Sequence, residues 1–292
     1  MIIVKILGGL GNQLFQYAAG RCVAHRLGLP LALDVSGFEA YGLRRFELRD
    51  LAAPVRVATD AELSAFGVSK RSQGFWRRAA RKLGFFESPS YFREASFRYD
   101  ARVEAIAGPA YFDGYWQSER YFAPIGDVIR AEFSPREAPA AANDEMQGRI
   151  RAAGGAAVSL HIRRGDYVSD ARTAQYHGVC SLDYYRAAVR YIAERVERPV
   201  FFVFSDDHAW VQENFDVGHP LLLVQCNAAD RGCWDMYLMR NCRHHIIANS
   251  SFSWWGAWLN SNPDKIVVAP ERWFAGGNHD TSDLVPASWV RL

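Results

Sequence analysis

Between residues 157 and 269 the chain alternates five short apolar runs with helical patterns, and few folds accept that rhythm. The runs span 157–160, 199–204, 220–224, 245–248 and 265–269. Helical periodicity over 182–196 and 231–241 lies between them, with Ser181 placed to cap the first helix. A strand that is apolar along its whole length is buried on both faces, and strands separated by helices pair in parallel. The alternation therefore predicts a parallel, doubly wound α/β sheet in the second half. The first half begins with a strand over 2–7, a helix over 12–27 and a strand over 31–33, then becomes irregular. A chain of 292 residues outgrows a single core, so two domains are expected. The stretch 134–146, with Pro135, Pro139 and an alanine run, reads as the linker and sets the domains at 1–142 and 143–292.

Three strand-to-helix junctions carry unusual chemistry. His161-Ile162-Arg163-Arg164-Gly165-Asp166-Tyr167 follows the run 157–160, and Gly8-Gly9-Leu10-Gly11-Asn12-Gln13 follows the first strand. Asn249-Ser250-Ser251-Phe252-Ser253-Trp254-Trp255 follows the run 245–248. In an open α/β sheet, ligands bind outside the carboxyl ends of the strands. Backbone N–H groups at helix starts, joined by hydroxyls and arginine, suit an anion there. Gly8, Gly9 and Gly11 permit close backbone approach to a ligand. Trp255 and Trp258 read as core residues from their helical spacing.

The segments GGLGNQLFQYA from Gly8, HIRRGDY from His161 and NSSFSWWGAW from Asn249 resemble the bacterial α-1,2-fucosyltransferases of glycosyltransferase family 11. Asp113-Gly114-Tyr115-Trp116-Gln117-Ser118 with Tyr121-Phe122, and Ala269-Pro270 with Arg272-Trp273-Phe274, are similar to the same family in the same order. The resemblance implies an α/β fold of the GT-B type, with two Rossmann-like domains facing across a cleft. Residues 1–142 would form the acceptor side and 143–292 would bind GDP-fucose. The implied activity is inverting transfer of L-fucose to the 2-hydroxyl of a terminal galactose in a glycan, lipid-linked and of the O-antigen kind. Neither a metal nor another cofactor is implied.

Departure of GDP builds negative charge on the β-phosphate, so catalysis needs fixed positive charge there and no covalent nucleophile. The resemblance gives that contact to Arg163. Arg164, next along an extended segment, is expected on the other face or in a structural ion pair. His161 reads as a core histidine or, through the resemblance, as a contact to guanine. Asp206 and Asp207 close the run 199–204 and suit guanine's N1 and N2 hydrogens, a helix N-cap, or one of each. Ser250, Ser251 and Ser253, with Phe252 nearby, are assigned to the phosphates. Gly9, Asn12 and Gln13 are assigned to phosphate or fucose hydroxyls. As the base for the acceptor's proton, Asp170 is preferred to Asp166, because the resemblance ties the motif aspartate to the arginines.

The formal net charge of +2 argues against a general polyanion binder. Five cysteines, without a CxxC pair, indicate neither a disulfide framework nor a zinc ribbon, and fit a reducing compartment. No pattern of carboxylates or histidines has metal-ligand spacing. No run approaches a membrane span and no basic region precedes the first apolar stretch, so a soluble cytoplasmic protein is expected. Residues 70–82 interleave Lys70, Arg71, Arg77, Arg78, Arg81 and Lys82 with Phe75 and Trp76. They read first as a solvated helix face, and alternatively as a peripheral contact with the anionic inner membrane or a nucleic-acid surface. The rivals to a fucosyltransferase are a transferase of the same fold using another GDP sugar or linkage, and a non-catalytic carbohydrate-binding protein with a tryptophan-rich tail.

Overall fold

The computed structural model describes residues 1–39, 44–68, 90–277 and 279–292. They form two compact units, Met1–Phe133 with Ser282–Leu284, and Ser134–Thr281 with Val285–Leu292. The basic stretch 70–82 lies outside the described residues.

The first unit contains β1 (Ile2–Lys5), α1 (Leu10–Leu27), β2 (Leu31–Asp34), α2 (Asp60–Ala65), β3 (Tyr91–Arg93), β4 (Ala110–Asp113) and α3 (Gly126–Glu132). Its sheet runs β2-β1-β4-β3, every pair parallel, with Ile2 between Leu31 and Ala110. Ile2, Ile3 and Val4 are fully buried, as expected for a central strand covered on both faces. Gly20 of α1 lies so close to Val4 that a Cβ there would collide with it. The helix ends at Gly28, whose φ of 63° is the left-handed cap that glycine takes without strain. A late segment returns to this unit: the Asp283 carboxylate accepts the Tyr99 N–H at 3.0 Å and bonds Arg120 at 3.1 Å.

The second unit contains α4 (Ala141–Ala153), β5 (Ala157–Ile162), α5 (Gly165–Ser169), α6 (Ala171–His177), α7 (Leu182–Ala193), β6 (Val200–Ser205) and α8 (His208–Asn214). It continues with β7 (Leu221–Leu223), α9 (Gly232–Arg240), β8 (His244–Ile246), α10 (Ser251–Trp258), β9 (Val267–Ala269) and β10 (Val290–Arg291). The sheet order is β7-β6-β5-β8-β9-β10, all parallel. Numbered from β5, that is 3-2-1-4-5-6, the Rossmann order. All five expected strands are present. Val158, Leu160, Phe201 and Val203 are buried beneath α7 residues Tyr185, Val189 and Ile192. Phe202, Phe204, Leu238 and Met239 pack in a separate apolar cluster. Trp254, Trp255 and Trp258 are core residues.

Two α/β units with parallel sheets are the makeup of the GT-B type. The division falls after Phe133, and the stretch expected as linker becomes helical from Ala141. No helix among the described residues is long and apolar enough to cross a membrane.

Candidate active site

In the second unit the chain leaves β5 toward β6 on one side and enters β8 on the other, so the sheet's winding reverses between β5 and β8. Ligands bind outside the carboxyl ends of strands at such a reversal. The HIRRGD motif begins on the last two residues of β5 and the NSSFS motif follows β8. Two segments 88 residues apart in the chain are thereby made neighbours by the topology alone, as His161 and Phe252 illustrate with ring centroids 5.6 Å apart.

The two arginines are held by two carboxylates. Arg163 Nη1 lies 2.7 Å from Asp206 Oδ2, and the guanidinium sits 5.3 Å from the Tyr167 ring centre. Asp206 Oδ1 also accepts the backbone N–H of Arg164 at 2.8 Å. Arg164 Nε donates to Asp207 Oδ2 at 3.1 Å and stacks over Trp210 at 3.9 Å. A side chain at Gly165 would run into Asp206, which explains glycine in the motif. Asp207 caps α8 by accepting the Trp210 N–H at 3.1 Å, and that bond, helped by Arg164, holds its carboxyl below the usual range. Of the readings open for this pair, the helix N-cap is the one seen at Asp207, which also pairs Arg164, while Asp206 holds Arg163 and the backbone of Arg164. The ion-pair alternative for Arg164 is the one observed.

His161 is buried, and loss of hydration lowers its pKa to about 4, so the ring is neutral at ordinary pH. Its Nδ1 has no hydrogen-bond partner among the described residues. Phe252 continues from His161 to α9, where it meets Gly232.

The three serines divide. Ser250 caps α10 by accepting the Phe252 N–H at 3.3 Å, and the buried Ser253 hydroxyl donates to the Ser250 carbonyl at 3.3 Å. Ser251 keeps its hydroxyl without a protein bond among the described residues, and it opens an eight-residue helix. Ser253 therefore spends its hydroxyl hydrogen inside the turn, whereas Ser250, which only accepts there, and Ser251 keep theirs beside the first-turn N–H groups. Asp170 is exposed at the turn between α5 and α6, and Asp166 is the second residue of α5.

Gly9 and Asn12 lie where β1 gives way to α1; Gly9 is the N-cap, in extended conformation, and its carbonyl accepts the Asn12 and Gln13 N–H groups. Gln13 is completely buried, and its Nε2 donates to the carbonyls of Gly8 and Arg45 at 2.9 and 2.8 Å. Its Oε1 accepts the Glu47 N–H at 2.9 Å. With both amide hydrogens engaged, Gln13 braces two loops and has none left for a ligand, contrary to expectation.

Three residues had been passed over. Asn249 donates to the carbonyls of His177, Gly178 and Trp273 at 2.9 to 3.2 Å, tying the loops around the arginine motif together. Tyr167 stacks on His177 with centroids 4.7 Å apart. Asp235 of α9 is half-buried; loss of hydration pushes its carboxyl up to about 6, against one stabilising bond from Asn227 at 2.8 Å. A single charge inside the apolar run Cys233 to Met239 was the sequence signal for it. Among the described residues, no group of three or more His, Cys, Asp or Glu side chains is placed to hold a metal ion.

The glycosyl transferase family 11 model matches residues 82–292. The chain belongs to glycosyl transferase family 11. Over 302 residues it is 36% identical to an α-1,2-colitosyltransferase of Escherichia coli, covering 100% of this chain and 99% of that protein. It is 34% identical over 299 residues to the O-antigen biosynthesis glycosyltransferase WbnK of Escherichia coli, covering 98% of each. Among solved structures, fucosyltransferase NodZ from Bradyrhizobium is 17% identical with a TM-score of 0.47, covering 87% of this chain and 91% of that one.

Proposed function

We propose that this family 11 glycosyltransferase moves L-fucose from GDP-fucose to the 2-hydroxyl of a terminal galactose, with inversion and without a metal ion. The observation that carries this reading is the placement of Arg163, braced by Asp206, at the reversal between β5 and β8 beside the start of α10. A guanidinium already oriented by a carboxylate meets the charge that develops on the departing β-phosphate without reorganising. Ser251 and the first turn of α10 add N–H and hydroxyl donors to the same diphosphate. Neutral His161, with its buried unpartnered nitrogen, offers a donor or acceptor for the guanine edge. Asp170, exposed at the α5–α6 turn, takes the proton of the attacking hydroxyl in this reading. The acceptor is a galactose-terminated glycan of the O-antigen kind, in keeping with the WbnK relative.

A second reading follows from the colitosyltransferase relative: the transferred sugar is colitose in place of fucose. Purified protein incubated with galactose-terminated oligosaccharides and either GDP-fucose or GDP-colitose separates the two, with GDP release as the rate and linkage analysis of the product. Faster transfer from GDP-fucose to the galactose 2-hydroxyl, insensitive to EDTA, is the expected result. Preference for GDP-colitose installs the second reading, and strict dependence on added manganese or magnesium overturns the metal-free mechanism.

A further inference from the structure

The first unit has its own reversal, between β1 and β4, and costly local features meet there. Trp116, in the turn after β4, has φ of 57°, a left-handed conformation that bulky side chains rarely adopt. The Glu94 carboxylate fixes this turn by accepting the N–H groups of Tyr115 and Trp116 at 2.6 and 2.9 Å. The next residue, Gln117, is 7% exposed, and its Oε1 is buried without a hydrogen-bond partner among the described residues. A buried acceptor left unpaired is destabilising. What Gln117 supplies in return is one bond, from its Nε2 to Asn12 Oδ1 at 2.8 Å.

That bond decides what Asn12 can offer. Asn12 is part-exposed on the first turn of α1, with its Oδ1 engaged. Its Nδ2 has no protein partner among the described residues and lies over Gly8, 2.8 Å from where a Cβ would stand on that glycine. Gly8, with φ of 80° and no Cβ, leaves that position beside the amide empty.

We infer that Gln117 is a positioning residue for glycosyl transfer: by holding Asn12 Oδ1 it turns the Asn12 amide N–H outward, as a donor to a sugar hydroxyl oxygen. The inference rests on the reading of the protein as a GDP-sugar transferase. Without Gln117, nothing fixes the amide about its last bond, and the N–H is no longer held toward the ligand. A hydroxyl of the transferred sugar and one of the acceptor glycan share this chemistry, and kinetics tell them apart.

Gln117→Met keeps the chain length while removing both the bond and the unpaired acceptor. The melting temperature should match or exceed that of the wild type, while kcat/KM falls about tenfold, the worth of one ordinary hydrogen bond. A rise in KM for the GDP sugar names the transferred sugar as the ligand, and a rise in KM for the glycan names the acceptor. Asn12→Ala in the Gln117→Met background should cost little more than either change alone, because both remove the same donor. Near wild-type turnover, additive losses, or activity falling in step with melting temperature would overturn the inference. The Asn12 side-chain amide resonance tests the bond without turnover: it should move in Gln117→Met, and an unchanged signal refutes the bond even where the donor sugar has been misassigned.

Discussion

Asp235→Asn should stabilise the protein at alkaline pH and do much less in acid. The folded chain holds the Asp235 carboxyl near 6, whereas an unfolded aspartate titrates near 3.8. Above 3.8 the unfolded state gives up the proton that the folded state retains, so Asp235 subtracts stability as pH rises toward 6 and subtracts a constant amount beyond it. The gap between 3.8 and about 6 is worth about 3 kcal/mol at pH 8 and about 1 kcal/mol at pH 4.5. Asparagine carries no charge at either pH and can still accept the Asn227 N–H through its own Oδ1. Any fixed penalty of the exchange cancels when the two pH values are compared, leaving a difference of about 2 kcal/mol. Urea unfolding followed by tryptophan fluorescence at pH 4.5 and 8 measures it for both proteins. A gain at pH 8 that exceeds the gain at pH 4.5 by less than about 0.5 kcal/mol would refute the assignment of a desolvated carboxyl.

Arg163→Lys should lower kcat about 100-fold or more, because an ammonium cannot keep the Asp206 contact and also reach a phosphate; steady-state rates on a folded variant check this, and near wild-type turnover refutes it. Asp170→Asn should depress transfer at least about 100-fold while calorimetry shows GDP binding unchanged; a loss under about threefold removes Asp170 from the base role. Gly20→Val should destabilise by about 1 to 3 kcal/mol, because its side chain must displace Val4 in the middle of β1; an unchanged unfolding midpoint would mean that α1 and β1 separate easily.

The second sheet was legible because its central strands are buried on both faces and therefore mostly apolar, as Phe201 to Phe204 show. β3 and β4 were not read: each is three or four residues long and ends on a charged residue, Arg93 or Asp113, and Asp113 already belongs to the motif that follows β4. Arg163 was singled out because its residue type, the strand before it and the charge of the expected leaving group all agree, and the structure sets it at the end of β5 against Asp206. Gln13 shows what a linear reading lacks. Its amide suits a ligand as well as it suits a backbone, and only the fold reveals that the carbonyls of Gly8 and Arg45 have taken it. Asp206 and Asp207 differ by one position in sequence but receive different tasks, since only the second stands at the helix start that needs a cap.

The return of Ser282–Leu284 to the first unit bears on how this protein is made. The chain passes between the units three times, after Phe133, after Thr281 and after Leu284. When residue 133 is added to the growing chain, the carboxylate that receives Tyr99 and Arg120 is still 150 codons from translation. The amino-terminal unit must therefore wait, incomplete, while the carboxyl-terminal unit is synthesised and its sheet assembles. For the same reason no single protease cut yields both units whole, and a stop codon just before Asp283 takes a partner from the half of the protein that was made first.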